Sequence, residues 1–146
     1  MMQFTAKIDP KFTANAQMLI PNEKDMREMA IDIMTDIRQS TQAGIDLNGT
    51  AFAEYADSTK KKKIDLGRNP DLVDLTDRNR MLGQSMQVAP IQGGAKIFFA
   101  DAQRRDVAMR HNYGIGVPQR TFFGVSKRSF DQAMKNLQTR IDRRAK

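Results

Sequence analysis

The chain has 146 residues, the size of one domain with its own hydrophobic core. It has no cysteine and one histidine, which excludes disulfides, thiolate nucleophiles and zinc sites built from cysteine or several histidines. The net charge of +7 is uneven, because residues 1–60 carry −3 and residues 61–146 carry +10. The basic half indicates binding to nucleic acid, binding to an acidic protein surface, or simple solubility. An acidic half and a basic half would also favour head-to-tail contacts between identical subunits. No apolar run approaches the roughly 20 residues that span a bilayer, so no membrane partner is expected.

The N-terminal third predicts a short strand and one long helix. Residues 2–8 alternate loosely between apolar and polar side chains, and Pro10 would end this strand. Asn22 is a predicted N-cap for a helix over residues 23–43, and Gly44 is its predicted C-cap. One face of this helix is acidic and is either simply solvated or a docking surface for the next subunit; it carries Asp25, Glu28, Asp32 and Asp36.

Residues 44–70 predict an extended, polar excursion. We expect two aromatic rings, Phe52 and Tyr55, to attach it to the rest of the domain. A run of four lysines lies within the same stretch, after the two rings; it consists of Lys60, Lys61, Lys62 and Lys63. This run is either a mobile, solvated loop or a contact for DNA phosphates or an acidic partner.

The C-terminal half predicts a hairpin between helices. Residues 71–83 predict a short helix, and residues 85–91 and 95–100 predict two strands joined across Gln92, Gly93 and Gly94. Asp101 can cap a helix that runs to about residue 110. Ser126 can cap the last helix, whose predicted apolar face consists of Phe130, Met134, Leu137 and Ile141. This order indicates an α+β fold in one domain, 1–146: a small antiparallel sheet with packed helices, including a long N-terminal helix and a C-terminal helix.

The stretch 111–126 is rich in residues that set backbone shape. Pro118 fixes its own φ, and Arg120 offers a planar fork for a carboxylate or for several backbone carbonyls. Phe122 and Phe123 would point to opposite sides of an extended chain, so one could enter the core and the other a neighbouring subunit. The stretch is therefore either a well-anchored loop of its own subunit or an intersubunit contact.

The same stretch offers little chemistry. His111 has no second ligand or nucleophile at a useful spacing, so a surface or capping role is expected. Gly114 and Gly116 lack the third glycine of a dinucleotide-binding loop, since position 119 is Gln. We therefore predict no catalytic residue, no metal and no cofactor.

Three segments resemble the phage virion morphogenesis family of tail-completion proteins, which includes proteins of Mu-like phages. Residues 44–55 are similar to the family's Gly-x-Asp-x-x-Gly run with two aromatics, which Thr and Lys follow. Residues 75–85 are similar to its Leu-x-Asp-Thr-Gly segment, although Arg78 and Asn79 replace Thr-Gly. Residues 110–126 are similar to its His-x-Tyr-Gly followed by Val-Pro-x-Arg-x-Phe-Leu-Gly-Leu-Ser.

The resemblance implies a non-enzymatic virion structural protein, a minor tail protein that completes the tail or joins it to the head. It implies a homo-oligomeric ring, expected to be a hexamer, at the neck of the bacteriophage. Partners would be head connector or adaptor proteins and tail terminator or tail tube proteins, with nonspecific contact to genomic DNA. The location would be the head–tail junction of the virion, and the host cytoplasm during viral assembly. The interface candidates are Phe52, Tyr55, Tyr113, Pro118, Arg120, Phe122 and Phe123. The alternative is a basic nucleic-acid-binding module.

Overall fold

The computed structural model describes residues 2–5, 21–75 and 80–146. Its helices and strands are, in chain order, β1 (Met2–Thr5), α1 (Glu23–Gln42), α2 (Asp57–Asp65), β2 (Met86–Ile91), β3 (Gly94–Phe99), α3 (Ala102–Tyr113) and α4 (Lys127–Arg144). A π-helical turn over Arg80–Ser85 precedes β2. The α+β class, the long N-terminal helix and the C-terminal helix are confirmed. The predicted continuation of the first strand over residues 6–8 lies outside the described residues.

The three strands form one sheet in the order β1-β3-β2. β1 and β3 are antiparallel, with Met2 opposite Ile97 and Thr5 opposite Gly94. β2 and β3 are joined by a two-residue turn in which Gly93 has a φ of 73°, a left-handed value that favours glycine. The predicted hairpin is therefore confirmed, with Gly94 opening β3 instead of closing the turn.

The chain forms two compact units. Unit 1 consists of residues Met1–Asp36, Met86–Phe98 and Val125–Lys146. Unit 2 consists of residues Ile37–Ser85 and Phe99–Gly124. The prediction of one domain over residues 1–146 stays a prediction.

In unit 1 the predicted N-cap of α1 is a reciprocal pair. The backbone N of Asp25 donates to Oδ1 of Asn22, and the backbone N of Asn22 donates to Oδ2 of Asp25, both at 2.9 Å. Met26, Met29, Ala30 and Ile33 are buried along the helix, as their helical spacing predicts. Local sequence therefore determines where this helix begins and which face is buried.

Arginines of α4 pair with the acidic face of α1. Glu28 and Asp32 both contact Arg140, at 2.7 and 2.8 Å. Two further pairs extend this row along the same helices, Asp25 with Arg144 at 2.7 Å and Asp36 with Arg128 at 3.0 Å. Because these carboxylates pair with cations of the same chain, this face is not simply solvated, and its docking role toward the next subunit stays a prediction.

The buried stripe of α4 differs from the prediction by one position. Leu137 and Ile141 are buried as expected, but Phe130 and Met134 remain 46% and 42% exposed. Their places in the interior are taken by Ser129 and Ala133, one residue earlier in the chain. Periodicity identifies an apolar side of a helix, but packing selects which small residues lie closest to the core. The predicted cap is confirmed, since Ser126 Oγ accepts from the backbone N of Ser129 at 3.0 Å.

Unit 2 contains two differences from the predicted elements. Helix α2 lies inside the stretch 44–70 that was expected to be extended, and it includes the whole lysine run. The helix predicted over residues 71–83 is wrong for residues 72–75, which have no regular structure. Leu75 has a φ of +50°, which a right-handed helix does not allow, so long-range packing has overridden the local apolar spacing.

Candidate functional site

The segment 111–124 is held at both ends in unit 2, and we call it the anchored loop. It leaves α3 at Gly114, whose φ of 70° is left-handed. A Cβ on Gly114 would lie 3.0 Å from Cβ of Gln119, so a side chain there would be both strained and crowded. The chain then returns to the helix, where the backbone N of Arg120 donates to O of His111 at 2.7 Å. The irregular part of the predicted loop 111–125 begins three residues later than expected, at 114, so the anchored loop includes the last three residues of α3, 111–113.

Asn112 organises the far end of the anchored loop. Its Oδ1 accepts hydrogen bonds from the backbone N of Phe122 at 3.1 Å and from that of Phe123 at 3.0 Å. Its side chain is buried, so it satisfies two amide groups that water cannot reach. Sequence reasoning missed this residue, because one asparagine in the last turn of a helix has no spacing or motif to distinguish it.

Arg120 joins the anchored loop to residues 53 and 54. The side chain is 3% exposed, and its Nε donates to O of Ala53 at 2.9 Å. One Nη donates to O of Glu54 at 2.7 Å, and the other lies 3.2 Å from Nδ1 of His111. The sequence left two kinds of acceptor open for Arg120, a carboxylate or several backbone carbonyls. The structure shows that the guanidinium binds backbone carbonyls. Arg120 therefore stabilises its own subunit.

Tyr55 is the centre of a second set of contacts, one of which is with Arg120 of the anchored loop. Its hydroxyl accepts from the backbone N of Leu75 at 2.9 Å, and burial raises the pKa of that hydroxyl. The guanidinium carbon of Arg120 lies 5.1 Å from the ring centroid and Nζ of Lys63 lies 5.0 Å from it. Tyr55 thus attaches the 44–70 segment to residues outside it through the hydrogen bond from Leu75 and the cation–π contact with Arg120, while its contact with Lys63 lies within the segment.

The four lysines of the run have different roles. Lys63 is buried, donates to O of Leu72 and lies 3.3 Å from Oδ1 of Asp74. Lys60 pairs with Glu54 at 2.8 Å. Lys61 and Lys62 are exposed and have no partner among the described residues. The expectation of a mobile loop is wrong, because the lysines lie in a helix, and only two of the four remain available to a DNA phosphate or an acidic partner.

Both phenylalanines of the loop enter the core of unit 2. Phe122 and Phe123 are 1% and 9% exposed, and their ring centroids lie 6.4 and 4.9 Å from that of Phe99. The expectation that one ring would reach a neighbouring subunit is therefore wrong. The backbone N–H groups of both residues point to one oxygen of Asn112, so the backbone is bent here. Successive side chains therefore do not alternate between opposite sides, as they would in an extended chain. Phe52 is buried as well.

The exposed part of the anchored loop includes three large apolar or aromatic residues beside the polar Gln119. Tyr113 is 65% exposed and Ile115 is 59% exposed, and Pro118 is also exposed. We call these three residues the tip. Two of them, Tyr113 and Pro118, are predicted interface candidates that the structure leaves accessible. Ile115 was missed, although an apolar residue between Gly114 and Gly116 is a sequence signal for an apolar group exposed on a turn.

The described part of the chain shows no group of three or more His, Asp or Glu side chains that could hold a metal ion. No helix within it is long and apolar enough to cross a membrane. Comparisons with protein-family models, with curated proteins and with solved structures found no match. The resemblance to tail-completion proteins therefore stays a prediction from the sequence.

Proposed function

We propose that this chain is a structural protein of a bacteriophage, which completes the tail or joins it to the head as part of a ring of identical subunits. One observation carries the proposal. The anchored loop, the segment with the most specific resemblance to tail-completion proteins, has a buried, hydrogen-bonded base and an exposed apolar tip.

Such a loop is suited to binding another protein. Arg120 and Asn112 fix the backbone, so the tip loses little conformational entropy when a partner covers it. The apolar area of Tyr113 and Ile115 is removed from water only when a partner binds, and burial of this area favours association. In a closed ring each subunit makes the same contact with the next, so modest contacts add up around the ring.

The second candidate is a basic nucleic-acid-binding module, which the charge of +7 favours. Its best candidate contacts are Lys61 and Lys62, the lysines of the run with no partner among the described residues. Two phosphate contacts give a shallow salt dependence, with a slope of about −1.8 in log affinity against log salt on duplex DNA. A much steeper slope for the isolated protein would require further phosphate contacts beyond these two lysines, and would favour the nucleic-acid module over the structural protein.

The proposal is tested by deleting the gene from the phage that carries it and examining particles by electron microscopy. We expect filled heads and tails that are not joined, or tails of incomplete structure. Wild-type protein supplied in trans should restore joined particles. Infectious particles with normally joined tails in the absence of the gene would contradict the proposal.

Complementation with variants then tests the tip. Tyr113→Ser combined with Ile115→Ser removes the exposed apolar groups without touching the buried base of the loop. Ile64→Ser combined with Leu66→Ser is a matched control, because those side chains are 59% and 63% exposed elsewhere in unit 2. We expect joined particles only with the control. Normal particles with the tip variant would show that the tip is not the contact.

A further inference from the structure

His111 is the one histidine of the chain, and it lies where the anchored loop returns to α3. Its Nδ1 is 3.2 Å from an Nη of Arg120. A guanidinium nitrogen is always a donor, so Nδ1 must accept. The ring is therefore neutral and has its proton on Nε2.

The arginine that depends on this acceptor also holds the neighbouring segment. Its guanidinium also donates to O of Ala53 and to O of Glu54, at 2.9 and 2.7 Å. With 3% exposure, Arg120 has little access to water that could replace a lost acceptor. A change at His111 is therefore transmitted through one side chain to residues 53 and 54.

Protonation removes the acceptor and places a second positive charge 3.2 Å from the guanidinium. The charged and titratable groups around the pair are Tyr55, whose ring centroid lies 5.1 Å from the Arg120 guanidinium carbon, Lys63, whose Nζ lies 5.0 Å from the same ring, and Glu54, whose backbone O accepts from Arg120. The Glu54 carboxylate is paired with Lys60 at 2.8 Å, so it is already engaged by another cation. Burial, and then the Arg120 charge, lower the pKa of His111 below its usual 6.5.

We propose that His111 and Arg120 form an acid-sensitive contact. Protonation of the imidazole weakens the hydrogen bonds by which Arg120 binds residues 53 and 54, and these residues are then released from the anchored loop. Above pH 6.5 the anchored loop and these residues are held together. Below that pH the released state binds a proton that the closed state excludes, so release becomes progressively more favourable. The device is a property of the isolated chain and does not depend on the proposed function.

Linkage limits the size of the effect. The released histidine has the ordinary pKa of about 6.5, so between pH 7.5 and pH 5.0 the opening equilibrium can rise by at most about thirtyfold. No other side-chain type ordinarily titrates in this range, and the chain has one histidine.

Two measurements test the device. The ¹⁵N shifts of the imidazole at pH 7.5 should show Nε2 protonated and Nδ1 unprotonated. Hydrogen exchange should then follow the amides of Phe52 and Leu75, which bond to O of Gly44 at 2.9 Å and to the Tyr55 hydroxyl at 2.9 Å. After correction for the intrinsic pH dependence of exchange, opening at these two amides should increase several-fold from pH 7.5 to pH 5.0.

The matched variant is His111→Gln, whose amide oxygen can accept from Arg120 but does not titrate. Its corrected exchange at the same two amides should be independent of pH. A proton on Nδ1 of the wild type at pH 7.5 would overturn the proposal, whether or not the variant folds. So would exchange in the wild type that does not change with pH, or an equal increase in the variant.

Discussion

Asn112 should be essential to the stability of unit 2, because one oxygen serves two buried amide groups. Asn112→Ala removes the acceptor of the Phe122 and Phe123 backbone N–H groups. Leaving a buried donor unpaired costs about 1–3 kcal/mol, and two donors are affected. The higher helix propensity of alanine offsets at most about 0.7 kcal/mol of this loss of stability. We therefore expect the free energy of unfolding to fall by about 1.5–5 kcal/mol, a large part of the roughly 5–15 kcal/mol of an ordinary domain.

Urea unfolding followed by far-ultraviolet circular dichroism is the suitable assay, since the chain has no tryptophan. The matched control is Asn48→Ala, which makes the same substitution at an exposed position of unit 2. The control should stay within about 0.5 kcal/mol of wild type. An Asn112→Ala protein equally close to wild type, with an unchanged denaturant slope, would refute the reasoning that this side chain is an obligatory acceptor.

Four further substitutions test other contacts by the same unfolding assay. Arg120→Lys cannot bind both carbonyls and the imidazole from one ammonium group, so we expect a loss of about 1.5–3 kcal/mol; no loss would contradict the role of the planar fork. Gly114→Ala places a Cβ in a left-handed conformation 3.0 Å from Gln119 Cβ and should cost at least about 1 kcal/mol; an unchanged stability would show that the turn adapts freely. Leu137→Ala should cost about 2–5 kcal/mol and Phe130→Ala markedly less, because only Leu137 is buried; the reverse order would contradict the buried stripe of α4.

Much of the secondary structure could be predicted because its signals are local. Asn22, Asp101 and Ser126 each have an oxygen that accepts from an amide three residues later, so short stretches of sequence determine where three helices begin. Helix α2 could not be predicted this way, since its cap residue, Ala56, makes no side-chain cap bond and its residues show almost no amphipathic pattern. The chain alone indicates a helix there only weakly.

The candidate site could be predicted in part. The sequence singled out Arg120 and its fork, but Arg120 and its carbonyl acceptors, Ala53 and Glu54, are separated by 67 and 66 positions in the chain. It also marked Phe122 and Phe123, but assigned them to opposite sides. Which groups lie inside and which form the tip depends on where distant segments meet, and no local pattern contains that information.

The sequence by itself determined the α+β class, most of the helix starts, the hairpin turn and the importance of the stretch 111–126. Hydrogen bonds between near neighbours and the φ preferences of glycine and proline are sufficient for these features. Only the tertiary structure decided that Arg120, Phe122 and Phe123 hold their own subunit, while Tyr113 and Ile115 remain exposed. The physical reason is that a buried polar group must find its partners wherever the folded chain provides them, and the carbonyl acceptors of Arg120 lie more than sixty residues away.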